Sequence, residues 1–147
     1  MAALFFDLDG TLLDWHTNDW MPGAVEMLQK LKQEGHQIIF MTMRGHQDID
    51  KLWSIENTLP ILEKLGIEYR ILFGVPSPRV MFDDSPTCGI HVNTKQWDNG
   101  AVEVNKIVHQ VKKDPYKSVR DLMEAVQEGW RGVKPVGAPI TPEDVER

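Results

Sequence analysis

The chain has a single cysteine, Cys88, so no disulfide can form within it, which fits a reducing compartment. It lacks any uncharged run as long as a membrane span, and its apolar start, Met1 to Phe6, stops at Asp7. Positive charge is scarce: 16 Lys and Arg against 22 Asp and Glu leave a net charge of -6. That balance repels phosphate backbones at long range and disfavours non-specific nucleic-acid binding. The five histidines, His16, His36, His46, His91 and His109, show no metal-ligand spacing. Apolar residues are not lacking. At 41% hydrophobic and 26% charged, the 147 residues match an ordinary soluble globular chain and exclude wholesale disorder. The length suits one domain and is short for two. A soluble, cytoplasmic single domain is the expectation.

Strand and helix patterns alternate along the chain. Ala3 to Phe6 is a short apolar run that Asp7 and the later Asp9-Gly10 turn bring to an end, as a buried strand would be. Ala24, Met27, Leu28 and Leu31 recur at helical spacing between Pro22 and Gly35, which suit a first turn and a C-cap. His36 to Thr42 predicts a second strand. Ile49 to Leu65 predicts a helix that Pro60 should kink or restart. Ile67 to Phe73 predicts a third strand, Arg79 to Phe82 a fourth that ends at Asp83-Asp84, and Gly89 to Asn93 a short fifth. After Asp98-Asn99-Gly100, the spacing of Ala101, Val104, Val108 and Val111 favours a helix over a hairpin. A further helix is expected over 115–130, covering the sheet or making a subunit contact, and then an extended or mobile tail over 131–147. The fold class is α/β, with a mostly parallel sheet and ligands outside the carboxyl ends of its strands.

The acidic residues gather at those strand ends. Asp7 and Asp9, two apart in an extended segment, project to the same side. Two such carboxylates repel and raise one pKa unless a cation neutralises them. Asp83 and Asp84 could supply further ligands, and an all-oxygen set suits Mg²⁺ better than Zn²⁺. A carboxylate in such a place can hold the metal or attack phosphorus, and its neighbour can protonate the leaving oxygen and later deprotonate water.

Asp7-Leu8-Asp9-Gly10-Thr11-Leu12-Leu13 resembles the first motif of the haloacid dehalogenase superfamily. Thr42, closing an apolar strand, is similar to its second motif, and Phe82-Asp83-Asp84 to its acidic fourth motif. The resemblance spans roughly residues 3–85 and implies a three-layer αβα Rossmann-like core over 1–114 and a Mg²⁺-dependent phosphatase. It implies Asp7 as nucleophile and metal ligand, and Asp9 as general acid/base whose carbonyl also meets Mg²⁺. Asp83 would be the third protein ligand, with Asp84 orienting a metal-bound water. Thr42 and the Gly10 and Thr11 amides would hold the phosphoryl group. The stretches from Leu12 to Pro22 and from Phe73 to Val80 are too short for a folded cap, so the resemblance is to the capless branch.

One position departs from the family. Its third motif is a Lys or Arg, where Gly74-Val75-Pro76 stands here. Arg44 and Arg79 are the better-placed substitutes, with Lys95 a third, and the first two are expected to bind substrate. The functional expectation is a phosphomonoester hydrolase acting on a small phosphorylated metabolite or a phosphoprotein. Val75 motivates the alternative, a Mg²⁺- and phosphate-binding protein without turnover. Homo-oligomerisation is compatible with either. Trp15 and Trp20 could shield the site or simply pack.

Overall fold

A computed structural model of the chain describes residues 1–45, 52–85, 87–92, 95–113 and 133–135. These divide into two compact units, residues 1–81 with 95–101, and residues 82–94 with 102–147. One boundary between the units therefore falls near residue 81. The reason lies in strand pairing: β4 (Ile90–Val92) runs antiparallel to β5 (Val133–Pro135), so this stretch pairs with the tail.

The first unit is built on a parallel sheet. β1 (Ala3–Asp7) pairs with β2 (Gln37–Met41) from Ala3↔Gln37 to Asp7↔Met41. β2 pairs on its other edge with β3 (Arg70–Leu72), giving the order β1-β2-β3. Parallel neighbours need crossover connections, supplied by α1 (Ala24–Gln33) and α2 (Ile55–Glu63). Central β2 buries Ile38, Ile39 and Phe40 in succession, as a strand covered on both faces must. The mixed α/β class with a parallel sheet is thus the one the alternating pattern predicts.

Helix α1 buries Ala24, Met27, Leu28 and Leu31, the four residues its spacing selects. It starts at Gly23, whose backbone is left-handed and where a Cβ would lie 2.9 Å from the Asp98 nitrogen, so only glycine fits. Gln29 on α1 donates to the Leu65 carbonyl just past α2 at 3.1 Å, which ties the two crossovers together. Helix α2 is shorter than expected. Ser54 caps it by accepting the Asn57 N–H, and the helix runs on through Pro60. Proline forfeits one ladder donor without ending the helix here.

One further difference concerns the second half of the chain. Arg79 to Phe82 forms no strand; Val80, Met81 and Phe82 are exposed, Phe82 at 92%. Pro76 and Pro78, without N–H groups, stand just before it, and Arg79 uses its side chain elsewhere (below). The helix after Asn99-Gly100 is present as α3 (Gly100–Lys113), with Ala101, Val104 and Ile107 buried. The helix expected over 115–130, and the tail apart from β5, lie outside the described residues. No described helix is long and apolar enough to cross a membrane.

Candidate active site

The turn that follows β1 is closed by its own backbone. The Leu8 carbonyl accepts the N–H groups of Thr11, Leu12 and Leu13, and the Gly10 N–H donates to the Leu13 carbonyl at 2.9 Å. Gly10 takes φ 76, a left-handed conformation that a side chain would resist. Leu8, Leu12 and Leu13 are fully buried and anchor the turn in the core. From the 95–101 segment, the Trp97 indole N–H donates to the Thr11 carbonyl at 2.7 Å, and its ring meets Phe6 edge-on at 6.0 Å. The carboxylates of Asp7 and Asp9 are therefore presented from a rigid support. The closure has a cost for one expectation: the Gly10 and Thr11 amides, expected to cradle phosphate, are already bonded to Leu13 and Leu8 carbonyls.

Asp9 is held by Arg44. The Arg44 Nε–H reaches both Asp9 oxygens, at 3.0 and 3.2 Å, and Nη2 also donates to Asp9 Oδ1. The same guanidinium donates from Nη1 to Thr58 Oγ1 at 3.0 Å and from Nη2 to Asn18 Oδ1 at 2.7 Å. The Thr58 hydroxyl in turn donates to the Ser54 carbonyl at 2.7 Å, so the first turn of α2 backs the arginine. The Arg44 side chain is 1% exposed. Expected as a substrate contact, Arg44 is instead buried and spent on Asp9, Thr58 and Asn18, because β2 delivers it beneath the β1 turn.

Asp7 meets the other arginine. Arg79 Nη1 donates to Asp7 Oδ1 at 3.0 Å, and Nη2 donates to the Val75 carbonyl at 3.1 Å. Its Nε is buried and has no partner among the described residues. The Thr11 hydroxyl lies 3.4 Å from Asp7 Oδ2. Burial pushes the Asp7 carboxyl above its usual range; Arg79 opposes the shift, and the neighbouring Asp9 charge adds to it.

The loops after β2 and β3 are stitched together below these pairs. Val75 N–H donates to the Thr42 carbonyl at 2.9 Å and Gly74 N–H to the Arg44 carbonyl at 2.8 Å. Thr42 is fully buried, and its hydroxyl accepts the Arg44 N–H at 3.1 Å. The structure thus brings Asp7, Asp9, Thr11, Thr42, Arg44 and Arg79 to one end of the sheet. Asp83 and Asp84 belong to the second unit, where both are exposed and Ser85 N–H closes on Asp83 Oδ1 at 2.9 Å. Among the described residues, no three His, Cys, Asp or Glu side chains group closely enough to hold a metal ion. The donors at the β1 turn are nonetheless all oxygen, and a carboxylate desolvated as Asp7 is would gain from a hard cation, so the two aspartates fit Mg²⁺.

Asn18, Ser54 and Thr58 were not singled out from the sequence. Only the serine before the α2 pattern carries a signal, that of a helix cap. Beyond Asn18, Trp15 and Trp53 form a small exposed aromatic pair, with the Trp53 indole donating to the Trp15 carbonyl at 2.8 Å.

Comparison with known proteins agrees with this geometry. Residues 4–69 match the haloacid dehalogenase-like hydrolase family. A Mycoplasma pneumoniae protein named "Putative phosphatase" is 39% identical over 64 residues, covering 43% of this chain and 22% of that protein. The chain thus spans about a fifth of the length of that curated relative. No solved structure matches. The matched segment contains most of β1, its aspartate turn, both crossover helices and β2 with Arg44 just beyond it, and over that segment the chain is similar to the haloacid dehalogenase-like hydrolases.

Proposed function

We propose that the chain is a Mg²⁺-dependent phosphomonoester hydrolase that works through an aspartyl-phosphate on Asp7. The observation that carries this reading is Asp7 itself, a partly buried carboxylate at the carboxyl end of a parallel strand with an arginine on one oxygen. A desolvated oxygen anion is a better nucleophile than a hydrated one, and the rigid Gly10 turn fixes its direction. The family match over residues 4–69 and the name of the Mycoplasma relative support the reaction class.

In the first step an Asp7 oxygen forms a bond to phosphorus while the bond from phosphorus to the leaving oxygen breaks. Asp9, two residues on, enters this step carrying a proton and gives it to that oxygen. In the second step Asp9 takes a proton from water, the water oxygen bonds to phosphorus, and the Asp7–phosphorus bond breaks. Inorganic phosphate leaves and both aspartates return to their starting state. Arg44 restricts Asp9 to one orientation throughout, since it grips both carboxylate oxygens and is itself fixed by Thr58 and Asn18. The Asp7 side chain and the Asp9 main-chain carbonyl would hold Mg²⁺, which supplies charge neutralisation between nucleophile and phosphate. Asp83 and Asp84, expected as further ligands, carry nothing in this reading. The substrate is a small phosphorylated metabolite or a phosphoprotein, and the location cytoplasmic.

The test is release of inorganic phosphate from a panel of phosphate monoesters, with and without Mg²⁺, beside Asp7→Asn. Turnover that requires both Mg²⁺ and Asp7 is expected. Binding of Mg²⁺ and phosphate with no release across the panel would favour the non-catalytic alternative.

A further inference from the structure

We infer that Trp15 and Trp53 form a stacking platform for the leaving group of the substrate, and that this group carries an uncharged aromatic ring. The inference rests on the phosphatase reading of the same site and names its substrate class.

Two loops of the first unit build the platform. The first is closed by its own backbone: Asp14 N–H donates to the Asp19 carbonyl at 2.8 Å, and Asn18 N–H to the Asp14 carbonyl at 2.7 Å. The His16 N–H adds a bond to Asp14 Oδ1 at 2.8 Å. Trp15 stands on this loop, and Trp53 on the segment that leads into α2. The Trp53 indole N–H donates to the Trp15 carbonyl at 2.8 Å, which joins the loops and occupies that ring's single polar group. What remains outward is ring surface. Trp15 is 45% and Trp53 41% exposed, whereas Trp97 is 2% exposed and serves the core. An indole left half in water gives up much of the stabilisation that burial brings, yet these two are held in a fixed relation by pinned backbone.

The platform is tied to the acid end of the site. Asn18 Oδ1 accepts from Arg44 Nη2 at 2.7 Å, and Asn18 Nδ2 donates to the Leu52 carbonyl at 3.0 Å, one residue before Trp53. Arg44 in turn grips Asp9. One guanidinium and one carboxamide therefore link Asp9 to both loops. In the proposed reaction Asp9 protonates the leaving oxygen, so it marks the side on which the leaving group sits. A leaving group on that side extends towards the loops that carry the two indoles.

The surface chemistry selects the ring. The two indole centroids lie 5.8 Å apart at 45°, and the His16 ring stacks on Trp15 at 3.7 Å. Rings that close are in contact with each other, so they present a surface and not a cage. A surface suits a flat ring, stacked or edge-on, whereas a quaternary ammonium needs faces around it. Asp14 and Asp19 stand on the same loop and repel an anionic leaving group. An uncharged aromatic ring meets both conditions.

The experiment uses substrate pairs that differ only in the ring: phenethyl phosphate against cyclohexylethyl phosphate, and adenosine monophosphate against ribose phosphate. Values of kcat/KM in Mg²⁺ are compared for wild type, Trp15→Ala, Trp53→Ala and Trp53→Phe, with thermal unfolding to confirm that each is folded. Calorimetric binding of phenethylphosphonate and cyclohexylethylphosphonate, which cannot be hydrolysed, is the second readout. Wild type should favour the aromatic member of a pair by at least about fivefold. Trp15→Ala should bring that ratio to within about twofold, and Trp53→Phe, which keeps a ring face, should retain more of it than Trp53→Ala. A preference in the purine pair supports the platform and identifies a nucleotide as its source; one confined to the phenethyl pair supports it with a simple aryl-bearing ester. Equal values within both pairs, or a preference that survives both alanine variants, overturns the platform while turnover keeps the phosphatase reading. If wild type hydrolyses no ester, the phosphatase reading falls and phosphonate binding decides. A phenethyl preference lost in Trp15→Ala then supports the platform, and equal binding overturns it.

Discussion

Two aspartates stand two residues apart on one turn, and each is met by an arginine on different terms. Asp9 faces a guanidinium from the end of β2 that is buried, gripped on several sides and backed by the first turn of α2. Asp7 faces one from an irregular loop, partly exposed, with one donor on Asp7, one on a backbone carbonyl and one without a partner among the described residues. The first pair has the character of a scaffold, the second that of a machine part. A closed network resists change, whereas an incomplete one has room for a ligand. The contrast teaches that the two carboxylates of one turn are held on different terms, one in a buried network and one in a partly exposed pair.

The comparison is broken most severely at the nucleophile. Asp7→Asn should reduce phosphate release by at least about 10⁴-fold with the fold intact, as measured by initial rates and circular dichroism. Next comes the scaffold pair. Arg44→Gln should lower the urea-unfolding free energy by about 3 kcal/mol, because it leaves Thr58 and part of Asp9 without a buried partner. Arg79→Gln, on the more exposed pair, should cost no more than about 1 kcal/mol. Equal losses in the two variants would erase the distinction. Thr58→Val should cost about 1–2 kcal/mol, since it orphans the Arg44 Nη1 donor while keeping the side-chain shape.

The smallest expected effect is a pH dependence. Asp7 is shifted upward by burial, so the folded protein holds that proton more tightly than the unfolded chain does. Its contribution to stability is full below the ordinary carboxylate range and lost as pH rises through the raised value. In metal-free buffer, Asp7→Asn should therefore flatten the fall in urea midpoint as pH rises above the ordinary carboxylate range, relative to wild type. An identical slope in the two proteins would show that Asp7 is not desolvated in solution.

Much of the first unit is legible in the sequence because local rules govern it. Met27, Leu28 and Leu31 fall on one face by period alone, Gly10 marks the turn, and the two-residue spacing of Asp7 and Asp9 aligns their side chains. What could not be read depends on contacts distant in the chain. Arg44 and Asp9 are 35 residues apart, Arg79 and Asp7 72 apart. No periodicity reports that one arginine would be buried and the other left partly open. The apolar run Val80-Met81-Phe82 has a strand's composition, yet composition does not supply the edge it would pair with. The pairing of β4 with Val133–Pro135 was equally hidden, since Pro135 argues against a strand unless it lies at an edge.

The most direct measurement is to quench the chain in acid during turnover of a phosphate monoester and to locate any phosphoryl adduct by peptide mass spectrometry. The expected result is an acid-stable, hydroxylamine-labile adduct on the peptide that carries Asp7, absent from Asp7→Asn. Turnover with no adduct there, or with the adduct on another residue, would contradict the assignment of Asp7 as nucleophile.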